Sequence, residues 1–194
     1  MPLLLASESP QRLALLKQIG ITPHATYAPG ILETPRPGEL PTNYVVRMAY
    51  AKAEAVADKL TPQKTNPSDW ILAADTEVVM GRRILGKPKN ADAADQFLQM
   101  LSGRRHQVLT AVVLMRGDKT HARHKLSKSH VKMAVWDKPA RVRYIKSQEW
   151  QGKAGGYGLQ GMAAAWVMWI RGSYSGIIGL PLAETAHLLK MCEI

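Results

Sequence analysis

The chain has 194 residues, of which 46% are hydrophobic and 21% charged, so its composition is that of a folded globular protein and excludes a fibrous or largely disordered chain. No apolar run approaches the ~20 residues that a membrane span requires, and Cys192, the single cysteine, excludes disulfides and zinc sites built from several cysteines. The net charge is +11. The short apolar N-terminus lacks the basic residues that begin a signal peptide, so we expect a cytoplasmic protein.

Strands and helices alternate in the first half of the chain. Ser9 is the predicted N-cap of the first helix, Pro10 occupies its first helical position, and Gly20 is its stop. Prolines and glycines punctuate residues 26–40, which we interpret as loop or edge strand. The other elements predicted here are a strand over Leu3–Ala6, a helix from Thr42 to about Lys59, a loop over 61–69 and a strand over Ile71–Met80.

The second half continues the alternation and contains the most clearly defined helix. This helix has Asn90 as its N-cap, an apolar stripe at helical spacing and Gly103 as its stop. The later predicted elements are strands at about 107–115 and 121–135, a helix started by Asp137, a glycine-rich non-helical segment over 152–161, a buried strand over 163–170, a loop over 171–181 and a closing helix over 182–191. With no repeat and no linker, this order predicts one α/β domain over residues 1–194, with two lobes around a cleft.

The turn before the first helix carries polar side chains that suit an anion. Ser7 and Ser9 place hydroxyls where the free backbone N–H groups of a helix N-terminus already favour negative charge. Arg12, one turn into the helix, can point back to the same place. Simple capping by Ser9 explains the serine without a ligand, and it leaves Arg12 unexplained.

Lys52 falls in the apolar stripe of the second helix, together with Met48, Ala49 and Val56. A lysine on a buried face must extend to the surface, pair with a carboxylate or project into a cavity. The neighbouring segments favour the cavity.

Asp75 lies within a strand that otherwise has the pattern of a buried one. A buried carboxylate costs several kcal/mol unless a cation or a metal compensates it. A hairpin return in the letters GRRILGKP would bring Lys87 near the end of the same strand pair, and Glu33 in the first loop supplies a second carboxylate that could face a metal. Carboxylates with lysines nearby are typical of phosphate chemistry, in which the acid holds Mg²⁺ or activates water.

Neither a GxxxxGK[ST] nucleotide loop nor a GxGxxG fingerprint occurs. Five other segments are recognisable, and they read LLLASESPQRLALLKQIGI, LETPRPGE, ADTEVVMGRRILGKPKNADAADQFLQMLSGRRHQVLTAV, GKAGGYGLQG and GSYSGIIGLPLAE. Together they resemble the Maf family of nucleoside triphosphate pyrophosphatases, in that family's order and spacing and over nearly the whole chain.

The resemblance implies a fold related to the inosine triphosphate pyrophosphatases, with a curved mixed sheet flanked by helices and a cleft between two lobes. It implies hydrolysis of a nucleoside triphosphate between the α- and β-phosphates, giving the monophosphate and pyrophosphate, with a divalent metal such as Mg²⁺ or Mn²⁺. The family's catalytic acid falls on Asp75, and its supporting positions fall on Ser7, Arg12, Glu33, Lys52 and Lys87. The family alone suggests a homodimer, with Trp166 and Trp169 as candidates for an apolar interface or, alternatively, for the core.

Three family positions bear on the choice of substrate. The branch that acts on dTTP and UTP typically has Arg, Thr and Gln there, and this sequence has Thr76 and Gln160 at the second and third. A side-chain amide can both donate and accept at a uracil or thymine edge, which a carboxylate cannot do. At the first position Gln11 replaces the arginine, which leaves 7-methyl-GTP open as an alternative substrate.

A nucleic-acid-binding or regulatory protein that has lost turnover is the rival interpretation from another class. Residues 101–150 hold 12 lysines and arginines against three acids, so this segment alone contributes +9. Such a field attracts nucleic acids and nucleotides alike, or serves only solubility. Few aromatic residues accompany the basic run, and Asp75, Lys52 and Lys87 are all present, which favours the enzyme.

Overall fold

The computed structural model describes residues 2–60 and 69–192, so the predicted loop over 61–69 lies, apart from Asp69, outside the described residues. The strands are β1 (Leu3–Ala6), β2 (Ala25–Thr26), β3 (Trp70–Met80), β4 (Arg83–Leu85), β5 (Arg105–Arg116), β6 (Ala122–Met133) and β7 (Val167–Arg171). The helices are α1 (Pro10–Gln18), α2 (Pro41–Lys59), α3 (Ala91–Leu101), α4 (Lys138–Ser147), α5 (Tyr174–Ile178) and α6 (Leu182–Met191). Two short 3-10 turns cover Ala154–Gly156 and Met162–Trp166.

A mixed seven-stranded sheet forms the centre of the fold. Its order is β2-β1-β3-β5-β6-β7, and β4 pairs with β3 outside this path. β1 runs parallel to β2 and β3, whereas β3, β5, β6 and β7 pair antiparallel in succession. Helices flank this sheet, and the predicted α/β class is confirmed. Within the described part of the chain, we find no helix that combines the length and the apolar character needed to cross a bilayer.

Alternating residues of β3 pack against different helices. Ile71 and Ala73 belong to the hydrophobic cluster that contains α2, whereas Leu72 and Ala74 belong to the cluster that contains α1 and α6. Because both faces of the strand are covered, its sequence is a continuous apolar run up to Asp75. The same alternation puts Asp75 on the α2 face. A third cluster, built around α3 and α4, packs against the far part of the sheet.

The predicted helix starts are confirmed by their caps. The side chains of Ser9, Asn90 and Asp137 each accept a hydrogen bond from the backbone N–H three residues further on, at 3.4, 2.8 and 2.8 Å respectively. Gly20 follows the end of α1 with a φ of 77°, and its N–H donates to the carbonyl of Lys17 at 3.0 Å. This left-handed position after the last turn explains why the helix stops at a glycine.

Two predictions near the C-terminus are wrong. The segment 163–170 is not one buried strand, since it begins in a 3-10 turn and continues as β7, in which Met168 is 63% and Trp169 42% exposed. β7 is the edge strand of the sheet, so an apolar composition does not bury both of its faces. The segment 171–181 is not all loop, because Ser173 caps the five-residue helix α5 by accepting from the N–H of Gly176.

Gly155 is expected to tolerate alanine poorly. Its φ is +68°, and an added Cβ would lie 2.8 Å from Val78 Cγ2, whereas Gly81 has a similar φ of +62° and nothing within 4 Å. Gly81→Ala should lower the free energy of unfolding by about 1–2 kcal/mol through backbone strain, and Gly155→Ala by about 1–3 kcal/mol more through overpacking. Urea unfolding of the two variants measures the difference, and equal losses would contradict the predicted clash.

Candidate active site

A cleft of about 940 Å³ opens where β1 ends and α1 begins. Its walls come from the start of α1, the loop before α2, the middle of β3 and the glycine-rich segment after α4. All ten side chains singled out from the sequence line it, namely Ser7, Ser9, Gln11, Arg12, Glu33, Lys52, Asp75, Thr76, Lys87 and Gln160. The cleft is large enough to enclose a nucleotide-sized ligand.

Lys52 joins two carboxylates at the bottom of this cleft. Its Nζ lies 2.5 Å from Asp75 Oδ1 and 2.8 Å from Glu33 Oε1. Lys52 is 5% and Asp75 2% exposed, so the lysine on the apolar stripe of α2 does project into a cavity and pair there. Lys87, on the hairpin return as predicted, reaches the other oxygen of Glu33 at 3.2 Å. The result is a continuous chain of alternating charges from Asp75 to the cleft mouth.

Two carboxylate oxygens of β3, at or near the cleft, have no hydrogen-bond partner among the residues that the structure describes. They are Asp75 Oδ2 and Glu77 Oε2, and both are buried. Burial, together with the charges of Asp75 and Glu33, raises the pKa of Glu77 to about 8. We had not singled out Glu77 from the sequence, although its position two residues after Asp75 in a strand puts both side chains on the same face.

Arg12 is fixed across the opposite side of β3. Its Nε donates to the carbonyl of Gly179 at 2.9 Å, and its two terminal nitrogens donate to Ser7 Oγ at 3.2 Å and Thr76 Oγ1 at 3.4 Å. Burial lowers the pKa of Arg12, against the opposing effect of the charges of Asp75 and Glu33. The guanidinium therefore ties the serine turn to Thr76.

The serine turn is organised by its own hydrogen bonds. Ser7 Oγ accepts from the backbone N–H of Ser9 at 3.1 Å, and Ser9 Oγ donates to Gln11 Oε1 at 3.1 Å. Ser9 is thus the cap of α1, as predicted, and it also orients Gln11 at the cleft wall. The turn holds two hydroxyls and the start of a helix against the cleft, which is an arrangement suited to an anion.

The glycine-rich segment that carries Gln160 is held by a residue not anticipated from the sequence. Glu149 Oε2 accepts from the backbone N–H of Met162 at 2.8 Å. A Cβ on Gly161 would lie 2.0 Å from this oxygen, so a larger residue there would displace the Glu149 carboxylate. Gln148, the preceding residue, has a φ of 62° and also lines the cleft. No sequence pattern marked these two residues, because the contact depends on how α4 ends.

The donors suitable for a metal are hard carboxylate oxygens. In the parts of the chain that the structure describes, no group of three His, Cys, Asp or Glu side chains could hold a metal ion. Both oxygens of Glu33 contact lysines, and each retains a lone pair that could bind a metal. Mg²⁺ typically takes one or two carboxylates and fills its shell with phosphate oxygens and water. The unpartnered oxygen of Asp75, which lines the cleft, fits that pattern.

The sequence is similar to a family model and to named relatives over nearly its whole length. The family model described as Maf-like protein matches residues 2–192. The chain is 51% identical to the dTTP/UTP pyrophosphatase of Cereibacter sphaeroides, over 100% of this chain and 96% of that protein. It is 48% identical to the dTTP/UTP pyrophosphatase of a Ruegeria species, over 98% of this chain and 94% of the relative. A solved nucleoside-triphosphatase, a dITP/XTP pyrophosphatase of Mycobacterium abscessus, matches 69% of this chain and 73% of its own at 16% identity, with a TM-score of 0.42.

Proposed function

The chain belongs to the Maf family, and we propose that it hydrolyses dTTP and UTP to the corresponding monophosphate and pyrophosphate. It is a hydrolase of the acid-anhydride bond between the α- and β-phosphates. The observation that carries this function is the buried Lys52 that bridges Asp75 and Glu33 inside a nucleotide-sized cleft. A purely structural ion pair would not need to line a cavity.

The cations of the site suit the triphosphate. We propose that Lys87, which is 55% exposed through its side chain, and Lys52 contact the phosphate oxygens, with the hydroxyls of Ser7 and Ser9 near the N-terminus of α1. Fixed cations around a phosphoryl group stabilise the charge that moves to the leaving oxygen in the transition state. Arg12 holds the turn in place through Ser7 and Thr76.

Asp75 is the proposed general base. Its Oδ1 is occupied by Lys52, which leaves Oδ2 to take a proton from the attacking water. Burial keeps bulk water from this oxygen, so only a water bound with the substrate reaches it. Lys52 fixes the orientation of the carboxylate throughout.

The metal proposed for the site is Mg²⁺ or Mn²⁺. Asp75 would hold it together with Glu33, since both carboxylates line the cleft. When bound, it would neutralise phosphate charge and lower the pKa of a coordinated water. Turnover is expected to require the metal.

The base is proposed to be recognised on both sides of the cleft, by Gln160 from the glycine-rich segment and by Thr76 and Gln11 opposite. We expect pyrophosphate release with Mg²⁺ or Mn²⁺ to be fastest with dTTP and UTP in a panel that includes CTP, GTP and 7-methyl-GTP. Gln160→Glu should lower kcat/KM for dTTP by about 10- to 100-fold, because the carboxylate loses the amide donor and leaves the uracil or thymine edge unpaired.

Gln151→Glu is the matched control, since Gln151 lines the same cleft and is exposed but has no proposed role. Turnover that favoured 7-methyl-GTP in the wild type would retain the enzyme class and overturn the pyrimidine assignment. Absence of turnover with every nucleotide, from folded protein with metal, would overturn the function itself.

A further inference from the structure

One face of the sheet beyond the N-terminal end of α2 is basic and open. In the strand pairing, Arg105 lies opposite Lys132 and Lys132 opposite Trp169, while in the next row Gln107 lies opposite His130 and His130 opposite Arg171. Lys128, opposite Leu109, extends the same face. Directly opposed residues of antiparallel strands project to one side of a sheet. We call these residues the basic sheet face: Arg105, Gln107, Lys128, His130, Lys132, Trp169 and Arg171.

The pattern of burial confirms that this face is accessible. The alternate residues Val131 and Ile170 belong to the hydrophobic cluster around α3 and α4 on the other side of the sheet. On the basic sheet face, Arg105, Gln107, Lys128, Trp169 and Arg171 are exposed. The strands are therefore apolar inside and basic outside.

The chemistry of this face is that of a surface for a polyanion with aromatic groups. It carries four permanent cations and no acid, around a tryptophan ring that is 42% exposed. The amide of Gln107 and the ring of His130 lie 3.3 Å apart at its centre and offer polar groups for hydrogen bonding. A cationic groove with an aromatic platform is how proteins bind single-stranded nucleic acid, because phosphates contact the cations and a base stacks on the ring.

We propose that the basic sheet face binds single-stranded nucleic acid, at a site separate from the nucleotide cleft. The residues that line the cleft include none of those in the basic sheet face, so a bound strand need not enter the cleft. An open face of three strands lacks the projecting helix or ribbon that enters a duplex groove, which favours single strands over duplex DNA. This binding is a second property of the protein and does not depend on its turnover.

The test is fluorescence anisotropy of a labelled 15-nucleotide oligo-dT, titrated with the full chain at several salt concentrations. With four cations, the slope of log K against log[salt] is expected to be about −3. Lys128→Gln with Arg171→Gln should make that slope shallower by about 1.4, since each lost phosphate contact accounts for about 0.7. Trp169→Ala should weaken oligo-dT binding about five-fold or more through lost stacking, and should leave binding of inorganic polyphosphate unchanged.

The matched control is the double variant Arg123→Gln with Lys125→Gln, which removes the same charge from the opposite side of β6. Arg123 and Lys125 pair with Leu114 and Val112, which belong to the hydrophobic cluster that contains α1 and α6. This control should bind oligo-dT like the wild type. The proposal is overturned if the wild type does not bind at 50 mM salt, or if the control pair weakens binding as much as the test pair. It is equally overturned if Trp169→Ala binds oligo-dT normally, or if light scattering shows a dimer that Trp169→Ala converts to a monomer.

Discussion

Asp75→Asn is expected to lower kcat for dTTP hydrolysis by roughly 10³-fold or more, because an amide can neither accept a proton from water nor bind a divalent metal strongly. Asparagine has nearly the same shape, and its oxygen can still accept from Lys52 Nζ, now 2.5 Å from Asp75 Oδ1. The cations proposed to contact the phosphates are unchanged. Nucleotide affinity, measured by calorimetry, should therefore change only a few-fold while turnover is lost.

Asp92→Asn is the control for this variant, since Asp92 is exposed in the first turn of α3, away from the cleft. It should retain wild-type turnover. If Asp75→Asn retained wild-type turnover as well, Asp75 would not be the base.

Lys52→Met is expected to lower the free energy of unfolding at neutral pH by about 3–5 kcal/mol, the usual effect of removing one partner from a buried ion pair. Methionine fills the space of the lysine stem and packs with the apolar stripe of α2. It leaves Asp75 Oδ1 without its donor at 2% exposure and takes from Glu33 one of its two lysines, so two neighbouring carboxylates lose the cation between them. Urea unfolding measures this loss, and kcat should fall at least as far as with Asp75→Asn.

Two further variants separate the ion pair from a general effect of lost charge. Lys17→Met, at an exposed position in the last turn of α1, should change stability by only about 0.5 kcal/mol. The double variant Lys52→Met with Asp75→Asn should be more stable than Lys52→Met alone by about 1–3 kcal/mol, since the buried negative charge is then removed. Equal stabilities for the single and double variants would contradict the coupling.

The meeting of Lys52 and Asp75 in the candidate site could be predicted because both residues violate their local patterns. Lys52 interrupts an apolar helical stripe and Asp75 an apolar strand, and each violation has a physical cost that the partner offsets. The starts of α1, α3 and α4 could be predicted as well, because the caps at Ser9, Asn90 and Asp137 follow simple local chemistry.

Other features depend on long-range packing and could not be predicted in the same way. Glu149 reaches Met162 only because α4 ends in a left-handed residue, which no periodicity reveals. Segment 163–170 is apolar enough for a buried strand, but its place at the sheet edge leaves Trp169 exposed. Burial there is decided by which strand comes last in the sheet order, and composition carries no information about that.

The most direct test of the central claim is the identity of the products. Phosphorus NMR of dTTP incubated with the protein and Mg²⁺ distinguishes cleavage of the α–β bond from cleavage of the β–γ bond. We expect dTMP and pyrophosphate in equal amounts, formed by the wild type and abolished by Asp75→Asn. Formation of dTDP and orthophosphate would contradict the pyrophosphatase assignment.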